Sequence, residues 1–139
     1  MHRVLRPKGR CFVTSWVPFD RSPVISALFD AMHEAMPGMP FGAGKAPLGE
    51  LSEMEAELRE AGFDAIQTQT ITHTMSLPSV EAFWESMLKS LAPMVLMRHR
   101  MGDGFQPFAD KVFANLKRLM PEGSVEAEMT ANLGIGTKS

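Results

Sequence analysis

The chain has 139 residues, 45% of them hydrophobic, and 14 lysines and arginines stand against 16 aspartates and glutamates. This length predicts one domain, and the near-balanced charge excludes a disordered chain and a strongly basic nucleic-acid binder. Because there is no apolar run of bilayer length, no signal-peptide core and only one cysteine, Cys11, we expect a reduced, soluble, cytoplasmic protein without a disulfide.

The chain begins with segments that predict a strand and a helix. Residues 1–6 have helical character but no capping residue before them, and a turn at residues 6–9 leads into a near-continuously apolar strand, Arg10–Trp16. Ser22 then stands at the cap position of a helix, and Pro23 stands in its first turn.

A Gly/Pro-rich loop, residues 37–49, separates this helix from the next one. The second helix is predicted over residues 53–61. Ser52 and Glu55 have the spacing of a capping box before it, and Gly62 follows at the position of a left-handed C-terminal cap.

The remaining chain predicts two strands around three helical segments. Residues 65–75 are rich in Thr and Ile and predict a strand, and Ser79 caps a helix over residues 80–91. A short helix is expected over residues 93–101 and a longer amphipathic one over residues 107–120.

The last strand, residues 125–135, alternates between apolar and polar side chains. This pattern predicts one buried face and one solvent face, as in an antiparallel strand. The apolar set is Val125, Ala127, Met129, Ala131, Leu133 and Ile135, and the polar set is Glu126, Glu128, Thr130 and Asn132.

Residues that carry chemistry are few. His73 lies in a predicted strand and is a candidate general base, although a His in this position is more often satisfied by its neighbours. The cluster Arg98–Arg100 suits an acidic substrate group or, more simply, a solvated helix end. The chain contains 12 methionines and no tyrosine, which fits either a Met-rich core or an adaptable apolar pocket. The four histidines, His2, His33, His73 and His99, have no metal-ligand spacing.

Two motifs resemble class I S-adenosylmethionine-dependent methyltransferases of the small bacterial type. Residues 1–10 read Met-His-Arg-Val-Leu-Arg-Pro-Lys-Gly-Arg, and they resemble the helix end Arg-Val-Leu-Lys/Arg-Pro-Gly-Gly that leads into the fifth strand of that family's sheet. Lys8 departs from the pattern by replacing the first Gly. Leu58–Phe63 resembles the family's Leu-x-x-Ala-Gly-Phe helix end before the sixth strand.

A third stretch resembles the family between its sixth and seventh strands. His73-Thr74 and residues 78–84 are similar to small bacterial methyltransferases that insert helices there. The resemblance implies an α/β, Rossmann-like partial domain over residues 1–139, with a helical insertion or lid at residues 77–124. Its three-stranded sheet is expected to be mixed, with the last strand between the other two.

The family's cofactor site is not represented in this sequence. That site needs a Gly-rich loop after the first strand and an acidic residue after the second, and neither is present here. The resemblance therefore implies the C-terminal, acceptor-side half of a methyltransferase. S-adenosylmethionine would serve the intact enzyme, and we expect this half alone to bind no cofactor and to be inactive.

The resemblance also implies where a small-molecule acceptor would bind. Candidate lining residues lie after the first strand and in the inserted helices, although the helical ones equally suit packing of a lid. No catalytic base, cofactor-binding residue or metal ligand is assigned. The candidates are Ser15, Trp16, Phe19, Phe83, Met87, Met94 and Met97.

Partners follow from the same reasoning. Strand 10–16 would lie at an unpaired sheet edge in this chain, which favours a homo-oligomer formed through that edge or by swapped elements. No nucleic-acid or membrane partner is expected. A different class of function stays open, namely a stand-alone α+β module that binds an apolar ligand among Met and Phe side chains.

Overall fold

The computed structural model describes residues 1–41 and 46–139, so part of the predicted loop, residues 42–45, lies outside the described residues. The described chain is α/β, and none of its helices is both long and apolar enough to cross a membrane. Its strands and α-helices are β1 (Arg10–Trp16), α1 (Pro23–Ala35), α2 (Leu51–Glu60), β2 (Asp64–Leu77), α3 (Val80–Ser90), α4 (Ala92–Met101), α5 (Phe105–Leu119) and β3 (Val125–Thr137). Short 3-10 turns lie at His2–Val4, Phe19–Arg21 and Gly102–Gly104.

The three strands form one sheet in the order β1-β3-β2. β1 pairs antiparallel with β3, in a register that runs from Arg10 opposite Thr137 to Trp16 opposite Ala131. The central place of the last strand is the one that the methyltransferase resemblance implied.

β2 is also antiparallel to β3. Thr70 donates its hydroxyl to the Asn132 side-chain oxygen at 2.9 Å, and the hydroxyls of Thr72 and Thr130 lie 3.0 Å apart. As the β2 residue number rises by two, its partner's number falls by two, which is the register of an antiparallel pair. The prediction of a mixed sheet is therefore wrong for the described residues. β1 and β2 run in the same direction, but β3 separates them, and neither has a parallel neighbour.

The buried face of β3 changes along the strand. Val125 and Ala127 are buried as the alternation predicted, but farther along it is Asn132, Gly134 and Gly136 that are buried. The expectation of one continuous apolar face is therefore wrong for the second half of the strand, where the buried residues have the opposite parity.

Helix α2 and the residues after it explain this change of face. A Cβ atom placed on Gly134 would lie 2.7 Å from the Met54 sulfur, and one on Gly136 would lie 2.7 Å from the Cβ of Phe63. Only glycine permits so close an approach, so packing selects the face that carries the two glycines.

The chain divides into two compact units, each with its own packing. The first comprises Met1–Arg21, Gly44–His73 and Met129–Ser139, and the second comprises Ser22–Ala43 and Thr74–Glu128. The first unit has a core of Cys11, Met54, Leu58 and Phe63. In the second unit, helices α1, α3, α4 and α5 bury Leu28, Met32, Phe83, Met94, Val112 and Leu116 almost completely. A single partial domain with an insertion at residues 77–124 stays a prediction.

The helix caps agree with the sequence only in part. Ser79 caps α3 as predicted, because its hydroxyl accepts a hydrogen bond from the Ala82 N–H at 3.2 Å, and Gly62 has a φ of 88° in the left-handed region. Ser22 precedes α1, but its hydroxyl donates instead to the Glu128 carbonyl at 2.9 Å. The capping box is wrong, because α2 begins earlier and Ser52 lies inside it.

We predict that Ser79→Ala lowers the free energy of unfolding by about 1 kcal/mol, because the N–H of Ala82 loses its acceptor. Ser52→Ala is the matched control. It removes a hydroxyl that caps nothing and changes the stability by less than about 0.5 kcal/mol. Urea denaturation followed by circular dichroism measures both, and equal losses would contradict the capping role.

Candidate functional site

A buried amide organises the end of β1 in the first unit. Asn132 lies opposite Ser15 in the β1–β3 pair and is only 1% exposed. Its Nδ2 atom donates to the Gly49 carbonyl at 2.8 Å and to the Leu48 carbonyl at 3.4 Å, and its oxygen accepts from Thr70 at 2.9 Å. Both donors and the acceptor of this side chain are therefore used, as a buried amide requires.

Further polar contacts attach the segment 47–50 to the same end of the strand. The Ser15 hydroxyl donates to the Pro47 carbonyl, and Arg21 forms an ion pair with Glu50 at the surface. Leu48 adopts a φ of 57°, which non-glycine residues rarely adopt, so these contacts hold a strained backbone. We name the end of β1 with segment 47–50 and Asn132 the strand-end site.

The strand-end site presents one large aromatic side chain to solvent. Trp16, the last residue of β1, is 48% exposed. Successive side chains of a strand point to opposite faces, so the exposed Trp16 lies on the other face of the sheet from Ser15 and the buried polar network around Asn132. Among residues 1–41 and 46–139, no three His, Cys, Asp or Glu side chains are grouped so that they hold a metal ion.

The sequence-predicted pocket residues fall in different parts of the structure. Ser15 and Trp16 both lie at the end of β1 but point to opposite faces of the sheet, and Phe19 lies in the 3-10 turn Phe19–Arg21 that follows β1. The four helical candidates are buried inside the second unit, between 0% and 8% exposed. These four are Phe83, Met87, Met94 and Met97. Their role in a pocket stays a prediction.

Sequence reasoning missed Asn132 because the alternation of β3 placed it on the solvent face. One signal pointed the other way: Asn132 has the same parity as Gly134 and Gly136. Two glycines at alternate strand positions indicate a close approach of another element, and this implies burial on their side.

A second feature of the first unit is an apolar cavity of about 240 Å³. It lies between β1, α2 and the start of the chain, and the buried thiol of Cys11 is 4.0 Å from the sulfur of Met1. Among the described residues of the lining, Glu57 carries the one charged side chain. The cavity is lined by Met1, Cys11, Val13, Leu48, Met54, Glu57, Leu58, Ala61 and Phe63.

A more polar cavity of about 250 Å³ lies in the second unit at the start of α3. Glu81 and Lys117 face each other there at 3.5 Å. The pKa of Glu81 lies below its usual value, first because a backbone N–H donates to the carboxylate, then because Ser79 does so, with Lys117 adding its positive charge.

We predict that the contribution of the Glu81 carboxylate to the stability of the folded protein depends on pH. Because its pKa is lowered in the folded protein, the favourable contacts of the carboxylate are present above the ordinary glutamate pKa and are lost as the pH falls through the folded value. Titration of the Glu81 carboxyl carbon by NMR measures this. Ser79→Ala should move the midpoint back toward the ordinary value, and an unchanged midpoint would contradict the assigned cause.

The other polar candidates do not form a catalytic group. His73 lies in β2 and is exposed, and its role as a base stays a prediction. Arg98 lies in the last turn of α4, 5.2 Å above the Phe105 ring, and His99 and Arg100 beside it are exposed. This arrangement fits the solvated helix end that the sequence favoured.

Comparison with known proteins supports a methyltransferase relationship. The chain is similar to acetylaranotin bis-thiomethyltransferase of Aspergillus terreus (strain NIH 2624 / FGSC A1156), with 29% identity over 104 residues. The match covers 69% of this chain and 36% of the relative, so the chain spans little more than a third of that protein's length. No protein-family model matches the chain.

Proposed function

We propose that this chain is the acceptor-side, C-terminal portion of an S-adenosylmethionine-dependent methyltransferase of Rossmann-like fold. The observation that carries the proposal is the similarity to the thiomethyltransferase over 104 residues. The strand order β1-β3-β2 supports it, because it is the order that the methyltransferase resemblance implies.

The proposal assigns the cofactor to a segment outside these 139 residues. The sequence has no Gly-rich loop after a strand and no acidic ribose-binding residue in the matching place. On this reading the chain contributes the acceptor surface, and the strand-end site with Ser15, Trp16 and Phe19 is its nearest part to the reacting methyl group. Positioning of the acceptor in line with the methyl carbon would then be its main contribution.

A thiol is the acceptor that we propose to test first, because the relative is named for methyl transfer to sulfur. The thiolate sulfur would form a bond to the methyl carbon as the bond from that carbon to the sulfonium sulfur breaks, and the thiol proton would pass to water. Thiols have a pKa of about 8.5, so a thiol acceptor is partly ionised near neutral pH and needs no strong base. This agrees with the lack of an assigned base in the sequence.

The experiment compares this chain with a longer polypeptide encoded by the same reading frame with its upstream codons. We expect the longer polypeptide to contain a Gly-rich strand–loop–helix, to bind S-adenosylmethionine in calorimetry and to transfer labelled methyl groups to benzyl mercaptan. The 139-residue chain alone should give no binding heat. Tight cofactor binding by the short chain, or an upstream region without the Gly-rich segment, would contradict the proposal.

The apolar cavity beside Cys11 favours a second candidate, a module that binds an apolar ligand. If this were the function, the chain alone would bind the dye 1-anilinonaphthalene-8-sulfonate, and Ala61→Trp at the cavity lining would weaken the binding. Ala56→Trp, at an exposed position in α2 that is outside the lining, is the matched control. Equal dye binding by the two variants would remove this candidate.

A further inference from the structure

One polar side chain from each strand takes part in a row across the sheet. Asn132 of β3 lies opposite Ser15 of β1, and its amide oxygen accepts the hydroxyl of Thr70 in β2 at 2.9 Å. Side chains of directly opposite residues lie on the same face of a sheet, so the three groups share one face. We name Ser15, Asn132 and Thr70 the polar row.

The polar row holds three consecutive backbone carbonyls of segment 47–50. The Ser15 hydroxyl donates to the first of them, the carbonyl of Pro47. The Asn132 amide donates to the next two, at 3.4 Å to residue 48 and at 2.8 Å to residue 49. The backbone of this segment is therefore positioned by side chains of the sheet.

Thr70 supports the Asn132 amide from the side away from the segment. Because a carbonyl only accepts hydrogen bonds, the amide nitrogen must face segment 47–50, and the amide oxygen then faces the Thr70 hydroxyl. The hydroxyl thus fixes the side chain that fixes the segment.

The backbone conformation held in this way is an unfavourable one. Leu48 has a φ of 57°, which non-glycine residues rarely adopt. Its carbonyl is bound by Asn132, and its side chain packs against the core of the first unit. Such a conformation persists only where the surroundings over-determine it, and residues of this kind cluster at active sites and ligand clamps.

Segment 47–50 lies at the carboxyl end of β1, because Ser15, which binds it, is the last residue but one of that strand. In open α/β sheets, ligands bind outside the carboxyl ends of the strands. The hydrogen bonds of the polar row join residues of this chain, so they do not depend on what pairs with the outer edge of β1.

We infer that Asn132 and Thr70 are positioning residues of the acceptor site, and that they hold segment 47–50 as one wall of that site. The inference rests on the proposed function and adds to it which residues set the affinity for the acceptor. Asn132 is 1% exposed and its amide is fully used, so it acts through the backbone of residues 48 and 49. A wall that is ordered before binding lowers the entropy lost on binding, so the effect falls on the KM of the acceptor.

Methyl transfer to benzyl mercaptan by the longer polypeptide tests the inference. Thr70→Val removes the hydroxyl and nearly keeps the shape of the side chain. We expect it to raise the KM for the thiol at least about fivefold, and to change kcat and the KM for S-adenosylmethionine by less than about twofold. A loss of stability alone would lower the active fraction, and hence kcat, without raising this KM. Thr70→Ser keeps the hydroxyl and should hold the KM within about twofold of the wild-type value.

Thr72→Val is the matched control. Thr72 is the next residue of β2 on the same face, and its hydroxyl lies 3.0 Å from that of Thr130. Its loss should change the KM for the thiol by less than about twofold. If Thr70→Val left this KM unchanged in an active enzyme, or if Thr72→Val raised it equally, the inference would be wrong while the proposed function stood. A longer polypeptide that transferred no methyl group would contradict both.

The support that Thr70 gives to Asn132 is also observable in the 139-residue chain, independently of methyl transfer. The side-chain amide protons of Asn132, followed by NMR, should exchange with solvent at least about threefold faster in Thr70→Val than in the wild-type chain. Thr72→Val should exchange them at the wild-type rate. Equal exchange rates in all three proteins would overturn the role assigned to Thr70.

Discussion

Asn132→Asp lowers the free energy of unfolding by about 3 kcal/mol at pH 7, which is the largest effect that we expect from a single substitution. The wild-type amide donates to the carbonyls of Gly49 and Leu48. A carboxylate in the same place donates nothing, and its charge is set against two carbonyl oxygens in a position that is 1% exposed. Urea denaturation of the full chain measures the loss.

The pH dependence of this variant identifies the cause. Burial and the facing carbonyl oxygens raise the pKa of the new carboxyl group in the folded protein. The folded state then holds a proton that the unfolded state releases, so the destabilisation is greatest above the folded pKa and shrinks as the pH falls toward the ordinary aspartate value. If the loss of unfolding free energy caused by Asn132→Asp were the same at pH 7 and at about pH 4, this explanation would be wrong.

Asn115→Asp is the matched control for Asn132→Asp. Asn115 is half-buried, and its amide donates to the Ala31 carbonyl at 3.2 Å. Its replacement by Asp should lower the free energy of unfolding by about 1 kcal/mol, because a single hydrogen-bond donor is lost and solvent reaches the new charge. Equal losses of unfolding free energy at the two positions would show that the hydrogen bonds of Asn132 contribute no more to stability than the bond of Asn115.

Gly136→Ala should destabilise the chain by about 2 kcal/mol, and Gly134→Ala should cost less. The added Cβ at position 136 would lie 2.7 Å from the Cβ of Phe63, an atom that is fixed to the backbone. At position 134 the nearest atom is the Met54 sulfur, also at 2.7 Å, and a flexible thioether moves aside at smaller cost. Thermal unfolding of both variants shows which substitution destabilises the chain more.

Gly104→Ala is the control for these two substitutions. Nothing lies within 4 Å of a Cβ at position 104, and its backbone is not in the left-handed region. An alanine there should be neutral or should stabilise by a few tenths of a kcal/mol, about 0.5, since it restricts the unfolded chain. If Gly136→Ala behaved in the same way, close packing would not explain the buried face of β3.

Much of the fold and some of the candidate site follow from local signals in the sequence. Ser79 before an amphipathic run predicts α3 and its cap, and Gly62 marks the end of the second helix, because both act on backbone groups a few residues away. Ser15 and Trp16 were named as pocket candidates, and both lie at the end of β1, with their side chains on opposite faces of the sheet. Their part in acceptor binding stays a prediction.

Other features of the site were decided by partners distant in sequence. Asn132 is a solvent-facing residue by alternation and a buried one in the structure, because its partners at residues 48, 49 and 70 come from segments more than 60 positions away in the chain. Ser22 has the local pattern of a helix cap, yet it makes no side-chain capping hydrogen bond, and its hydroxyl donates to the carbonyl of Glu128, far away in the sequence.

The sequence by itself determined which segments become helices and strands, and it indicated the methyltransferase-like order of those segments. These properties depend on short-range periodicity, on caps and on turn residues, all of which a linear pattern records. Only the tertiary structure decided that β3 is antiparallel to both of its neighbours, and that the second half of β3 turns its glycines, not its apolar residues, toward α2 and Phe63. Such choices depend on which surfaces meet across long sequence separations, and alternation along one strand carries no information about the element that will cover it.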